Sequence, residues 1–411
     1  MTPVVADDAL MRSVGSAFPP GIAQAAVAVS GGGDSIALLH LLARCAPGSG
    51  LALRAVTVDH RLRPESAAEA AFVARVCARL AVPHTVLTWD RGALTGNLME
   101  QARHARYRLM TDWAQANGVQ AVALGHTADD QAEGFLMALT RASGLDGLSG
   151  MMPMHQRDGL VWARPLLAHS RAALRDWLVR QGEPWVEDPS NADAHYLRVR
   201  ARAALAGLAA MGLTAETIAR SVAHLAVARS VLDADLQGFV RRHVVEDAGV
   251  LTVDRAAFAN LHPEMQRRLL ASAVRWIGGA AHPPRHDGQA QALMALHGGR
   301  GATLGGVRLR VGPQAIRMAR EPRAAQGPVP VGQVWDGRWQ VTGAAGEVRA
   351  LGAAGLAQIP GWRGCGVPRD ALVVSPGIWD GTRLIAAPLA RFGSGYSAMI
   401  GRSFGSFLLS H

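Results

Sequence analysis

The chain has 411 residues, 49% of them apolar, and a formal net charge of +10. That length predicts two or three domains with sizeable cores, while the lack of a membrane-length apolar run and of a basic-then-apolar leader in MTPVVADDALMRS predicts a cytoplasmic protein with no membrane partner. Lysine is absent, so all the fixed positive charge is arginine, whose planar fork suits phosphate and makes a nucleic-acid partner plausible.

In chain order, residues 1–25 read as a leading helix and a turn at Pro19-Pro20-Gly21. Ala26 to Val29 suits a buried parallel strand, Ser30-Gly31-Gly32-Gly33-Asp34-Ser35 is a glycine-rich turn, and Ile36 to Leu42 is apolar and helix-prone. Leu51 to Val58 is a second strand, ending in Asp59-His60-Arg61. Pro64 and Glu65 open a helix to about Leu80. His84 to Trp89 is a third strand, and Leu98 to Asn117 a helix closed by Gly118. Val119 to Leu124 is a fourth strand ending in Gly125-His126, with a helix from Thr127 or Ala128 to about Arg141. Residues 142–154, rich in glycine and methionine, read as a mobile loop. Ser170 is the N-cap of a helix running to Gly182. A polar turn, Trp185 to Asn191, and a segment with alternate arginines, Arg198, Arg200 and Arg202, close this part.

Strands alternating with helices predict an α/β domain with a doubly wound, Rossmann-like parallel sheet over residues 1–212. Residues 213–300 read as a helical domain and 301–411 as a small β-rich one. Within the last, Trp335-Asp336-Gly337-Arg338 resembles Trp379-Asp380-Gly381-Thr382-Arg383, a weak sign of repetition.

In such a sheet ligands bind beyond the carboxyl ends of the strands. The glycine loop, Asp59-His60 and Gly125-His126 should therefore face one crevice. A strand, a glycine loop and a helix N-terminus make an anion site from Ser30, the Gly31, Gly32 and Gly33 amides, and Ser35. A Walker A loop is excluded because it needs lysine, and G-x-G-x-x-G spacing is absent. Asp34 inside a phosphate loop repels the ligand unless a metal ion lies between them. Asp129, Asp130 and Glu133 gather in the first turns of the helix after His126. Plain helix capping accounts for acids there. Beside a phosphate loop, a cation site facing the nucleotide accounts for them better. The cysteines, Cys45, Cys77 and Cys365, are too far apart for a zinc ribbon, an iron–sulfur site or a disulfide framework.

The pattern S-G-G-x-D-S resembles the PP-loop of ATP pyrophosphatases. SGGGDS, VDHRLRPES, GHTADDQAE, RASGLDGLSGM and EDPSN, in this order, resemble the tRNA(Ile)-lysidine synthetase family over roughly residues 20–210. The resemblance implies ATP-dependent adenylation of C2 of the wobble cytidine in the CAU anticodon of tRNA(Ile). Free lysine then displaces AMP. It also implies ATP binding by residues 30–35, with Mg²⁺ on Asp34 and Asp130. His126 falls near the adenylated base and Arg106 steadies phosphate or base. Asp129 or Glu133 is a guess for the lysine ammonium, and Arg198, Arg200 and Arg202 a guess for tRNA. Two departures stand out. Gly134 replaces a small hydroxylated residue, and R-N-x-x-R appears as Arg198-Val199-Arg200-Ala201-Arg202 without its asparagine. The competing readings are a PP-loop tRNA thiolase, which needs paired or nucleophilic cysteines, an amidotransferase-type synthetase, and a non-catalytic RNA-binding protein. The oligomeric state stays open, with a homodimer among the options.

Overall fold

The computed structural model describes residues 3–61, 65–90, 98–187, 197–280 and 282–409. They fall into two compact units, Met1–Arg229 and Ser230–His411. Among the described residues no helix is long and apolar enough to cross a membrane.

The first unit runs α1 (Pro3–Gly15), β1 (Gln24–Ala28), α2 (Gly33–Ser49), β2 (Ala52–Asp59), α3 (Ser66–Arg79), β3 (His84–Thr88), α4 (Leu98–Ala116), β4 (Ala121–Leu124), α5 (Ala128–Leu139), α6 (Leu145–Leu148), β5 (Met154–Arg157), β6 (Leu160–Ala163), α7 (Arg171–Gln181) and α8 (Leu197–Leu208). The sheet order is β3-β2-β1-β4-β6-β5. Every pairing is parallel except β5 with β6. Strand side chains alternate between faces. Val27 and Val29 therefore pack with Ile36, Leu39 and Trp177 on one side. Ala26 and Val122 pack with Met110, Trp113 and Trp162 on the other. Both faces are covered, as a doubly wound parallel sheet requires.

The expected elements stand within a few residues, but the hairpin β5–β6 was not expected. Its strands are four residues each, and β5 (MHQR) is mostly exposed, so it has no apolar signal. Part of the expected loop over 142–154 is helical, as α6. The alternate arginines at 198–202 lie on α8, which puts Arg198 and Arg202 on one face and turns Arg200 away from it. Pro64 and the Asp188-Pro189-Ser190-Asn191 turn lie outside the described residues.

Helix α9 (Ala215–His243) leads into the second unit. Residues 244–254, inside the stretch expected to be a helical domain, form a hairpin of β7 (Val244–Asp247) and β8 (Val250–Asp254). After α10 (Arg255–Asn260), α11 (Pro263–Gly278) and α12 (His286–His297), that hairpin joins β9 (Ala302–Leu304), β10 (Val307–Val311) and β11 (Ala315–Arg320) in one sheet, ordered β7-β8-β11-β10-β9. Val253, Leu309, Ile316 and Met318 bury one face of it under Leu269, Leu270 and Ile277 of α11. The two Trp-Asp-Gly stretches sit at the ends of two β-hairpins, with Gly337 at φ +69° and Gly381 at φ +56°.

Candidate active site

Strands β2 and β3 extend the sheet to one side of β1, while β4 and β6 extend it to the other. The strand order reverses between β1 and β4, which is where such sheets open a ligand crevice. The glycine loop leaves β1 there, and Gly125-His126 leaves β4.

Gly31 has φ +94°, a left-handed conformation that an L side chain adopts only with strain, and its carbonyl accepts from Val186 N–H at 2.9 Å. The Ser35 hydroxyl accepts from Ser30 N–H at 3.2 Å and donates to the Gly32 carbonyl at 2.9 Å. These bonds fix the loop before any ligand arrives. Gly32 is the N-cap of α2, and the first bond that continues the helix is Ile36 N–H to the Gly32 carbonyl, at 3.0 Å. The amides of Gly33, Asp34 and Ser35 are thus the terminal donors that a helix leaves without an internal partner. Gly125 fits because it lacks a side chain: a Cβ there would lie 3.1 Å from Cα and N of Ser35 and 3.2 Å from C of Asp34.

Four carboxylates converge on Arg171, three on its guanidinium and one on its backbone N–H. Arg171 Nε–H donates to Asp34 Oδ2 at 3.1 Å, and the other guanidinium nitrogens lie 3.6 Å from Asp130 Oδ1 and 3.5 Å from Glu133 Oε1. The backbone N–H of Arg171 donates to Asp129 Oδ2 at 2.7 Å. These acids hold Arg171 above its usual pKa against the pull of burial. Asp130 also closes a capping box on α5: its Oδ2 accepts from Thr127 N–H at 2.9 Å and from the Thr127 hydroxyl at 3.0 Å. Glu133 is fully buried and meets two more arginines, Arg202 at 2.8 Å and Arg198 at 3.3 Å. Asp34 Oδ1 is buried and has no hydrogen-bond partner. Burial raises the Asp34 pKa more than Arg171 lowers it, so the carboxyl sits above its ordinary range.

The other half of the crevice is cationic and aromatic. Arg106 has a buried Nε without a partner and lies over the Tyr107 ring at 5.7 Å. Burial lowers its pKa. Burial works to raise the Tyr107 phenol, but Arg103, Arg164 and Arg106 outweigh it and bring the phenol below its usual value. His60, at the end of β2, and His126, at the end of β4, are both held neutral by burial first, and the charge of Arg106 acts on both. For His126 the pKa falls to about 3.

The structure thus brings together the glycine loop, Asp34, Asp129, Asp130 and Glu133, and it places His126 and Arg106 in mutual electrostatic reach. It draws Arg198 and Arg202 onto Glu133, while Arg200 is exposed. Sequence reasoning missed Arg171 and Arg164. A cation in the first turn of a helix opposes the helix dipole, so Arg171 directly after the Ser170 cap was a signal of an acidic partner. Arg164 follows β6 and becomes visible only once that strand is recognised.

A family model for the PP-loop domain matches residues 9–208. The chain is 48% identical over 408 residues to the tRNA(Ile)-lysidine synthase of Ruegeria pomeroyi, covering 98% of this chain and 97% of that one. It is 39% identical to the tRNA(Ile)-lysidine synthase of Methylobacterium nodulans, over 74% of this chain and 92% of the relative. Among solved structures, a U34-tRNA thiolase from Methanococcus maripaludis is similar with a TM-score of 0.47 and 15% identity, over 55% of this chain and 80% of that one.

Proposed function

The chain belongs to the tRNA(Ile)-lysidine synthase family, and from that premise we propose how the crevice in its first unit carries out the reaction. The enzyme uses ATP to join lysine to C2 of the wobble cytidine of tRNA(Ile), releasing AMP and pyrophosphate. The observation that carries the assignment of residues is the open glycine loop facing the Asp34–Arg171–Asp130–Glu133 cluster.

ATP phosphates meet Ser30, the Gly31–Gly33 amides, Ser35 and the start of α2, donors aimed at a departing pyrophosphate. The fit for Mg²⁺ rests on Asp34, whose Oδ1 is buried and unpartnered. Among the described residues no group of three or more acidic, His or Cys side chains has metal-site geometry. Nucleotide-bound Mg²⁺ takes one or two carboxylates and fills its shell from phosphate and water. Asp34 and Asp130 would hold it, and when bound it neutralises charge on the phosphates.

Arg106 fits the phosphate or base of the adenylated nucleotide, and His126 lies in reach of the same group. Charge complementarity supports the lysine ε-ammonium beside Asp129, whereas Glu133 is already met by Arg171, Arg198 and Arg202. Arg200 and its neighbours on α8 remain candidates for tRNA phosphate. A tRNA substrate supports a cytoplasmic location.

The thiolase alternative fits poorly. Burial pushes the Cys77 thiol up to about 11 and raises that of Cys45, the opposite of a nucleophilic cysteine. The test is transfer of labelled lysine to tRNA(Ile) bearing the CAU anticodon, with ATP and Mg²⁺ and with Asp34→Asn as control. Label entering the tRNA with the wild type and not the variant supports the assignment. Release of AMP and pyrophosphate without lysine transfer refutes it and favours delivery of another nucleophile.

A further inference from the structure

Arg164 follows β6 directly and is buried, with 7% of its surface exposed. Its Nε–H donates to Nδ1 of His126 at 3.2 Å. Its Nη1 donates to the Met152 carbonyl at 2.9 Å and lies 3.1 Å from Nδ1 of His155. Its backbone N–H donates to the Pro153 carbonyl at 2.7 Å. One guanidinium therefore ties the end of β4, the start of β5 and the segment before it together.

A guanidinium offers only donors and stays protonated at any accessible pH. The nitrogen it meets must supply a lone pair. In a neutral imidazole with the lone pair on Nδ1, the hydrogen is on Nε2. Among the described residues no hydrogen bond engages Nε2 of His126.

We infer that Arg164 is a positioning residue that fixes His126 as a neutral imidazole with its hydrogen on Nε2, so that His126 serves the reaction as a hydrogen-bond donor and takes up no proton. The identity of its acceptor rests on the lysidine-synthase reading, whereas the tautomer does not. The charged groups that act on His126 are Asp130 on α5, Arg164 after β6, and Arg106 and Arg103 on α4. Burial and the three arginines keep the ring uncharged, with Asp130 opposing them. An Nε2–H donor suits an oxygen that gains negative charge, such as the phosphate oxygen that leaves C2 with the bonding electrons when the amine attacks. The proton lost by that amine has to go elsewhere, to a carboxylate of the Asp34 cluster or to water.

The first test is spectroscopic and uses the full chain with ¹⁵N-labelled histidine and no substrates. The ring signals are assigned by their loss in His126→Gln. The expected result at neutral pH is a bare Nδ1 and a protonated Nε2 in the wild type, and averaged tautomers in Arg164→Met. A hydrogen on Nδ1 in the wild type overturns the inference. So does an unchanged tautomer in folded Arg164→Met. The second test holds even where Arg164→Met does not fold. A glutamine at 126 presents its amide N–H near the place of Nε2, and an asparagine near the place of Nδ1. His126→Gln is expected to keep lysine transfer within about 10-fold of the wild type, and His126→Asn to lose about 100-fold, the effect of removing one positioned donor. Equal losses, or the reverse order, overturn the inference. Absence of lysine transfer in the wild type counts against the lysidine-synthase reading and leaves the tautomer result standing, so the two failures are told apart.

Discussion

Replacing Arg171 with methionine removes the one guanidinium shared by Asp34, Asp130 and Glu133. At an effective dielectric of about 20, one pair at the 3.1 Å of Arg171 and Asp34 is worth roughly 5 kcal/mol before desolvation is counted. Removing one partner of a buried pair costs about 3–5 kcal/mol, because the charge left behind stays out of water. The low end applies here: Arg171 and Asp34 are each 20% exposed, and Glu133 keeps Arg198 and Arg202. A loss of about 3 kcal/mol lowers the melting temperature of a domain of this size by roughly 6–12 °C. The pH dependence has a definite sign. Asp34 already sits above the ordinary carboxylate range, and losing Arg171 raises it further. A carboxyl with a raised folded pKa binds its proton more tightly when folded, so stability rises as pH falls. Thermal unfolding at about pH 5 and pH 8 is the assay, and the deficit of Arg171→Met should be larger at the higher pH. Arg171→Lys, which keeps a cation, should recover most of it. An unchanged melting temperature at the higher pH, or a deficit that grows on acidification, refutes the argument.

Gly125→Ala drives a Cβ to 3.1 Å from the Ser35 backbone. It should cost about 1–3 kcal/mol and weaken ATP binding, as read by urea unfolding and by the ATP KM. Gly134→Ala is the counterpart inside α5: nothing lies within 4 Å of its Cβ, so urea unfolding should show a gain of about 0.5–1 kcal/mol with activity unchanged. The depressed pKa values of His126, about 3, and His155, about 4, make the folded state resist protonation. Their contribution to stability is complete above about pH 6.5 and is lost as pH falls toward those values, so His126→Gln should flatten the acid side of a melting-temperature profile. Arg200→Ala, if it removes a phosphate contact, should weaken tRNA binding and lower the slope of log K against log salt by about 1.

The core of the first unit was legible because its signals are consecutive. Val27 and Val29 alternate with alanines, three glycines follow, and an apolar helix begins. The same holds for Gly125-His126 and for the Ser170 cap, which accepts from Ala173 N–H as expected. Strand β5 was illegible because its four residues are mostly exposed, β6 because its short apolar run adjoins that exposed strand, and β7 and β8, of four and five residues, because they follow a 29-residue helix. The sequence also brought the acids of the site to light without their counter-charge. Arg171 is 137 residues from Asp34, and no local pattern joins them. Arg198, Arg200 and Arg202 were a guess for tRNA contact, yet Arg198 and Arg202 turn to Glu133, since helical spacing puts i and i+4 on one face.

Asp130 holds the first turn of α5 with one oxygen and faces Arg171 with the other. Helix nucleation and ligand chemistry therefore share a single side chain. Asparagine at 130 could still accept the Thr127 bonds and keep the helix start while losing the charge, whereas alanine would forfeit both. The two substitutions thus separate a fault in architecture from a fault in electrostatics. A substitute that keeps both the acceptor for Thr127 and the negative charge facing Arg171 has almost no chemical room at this position.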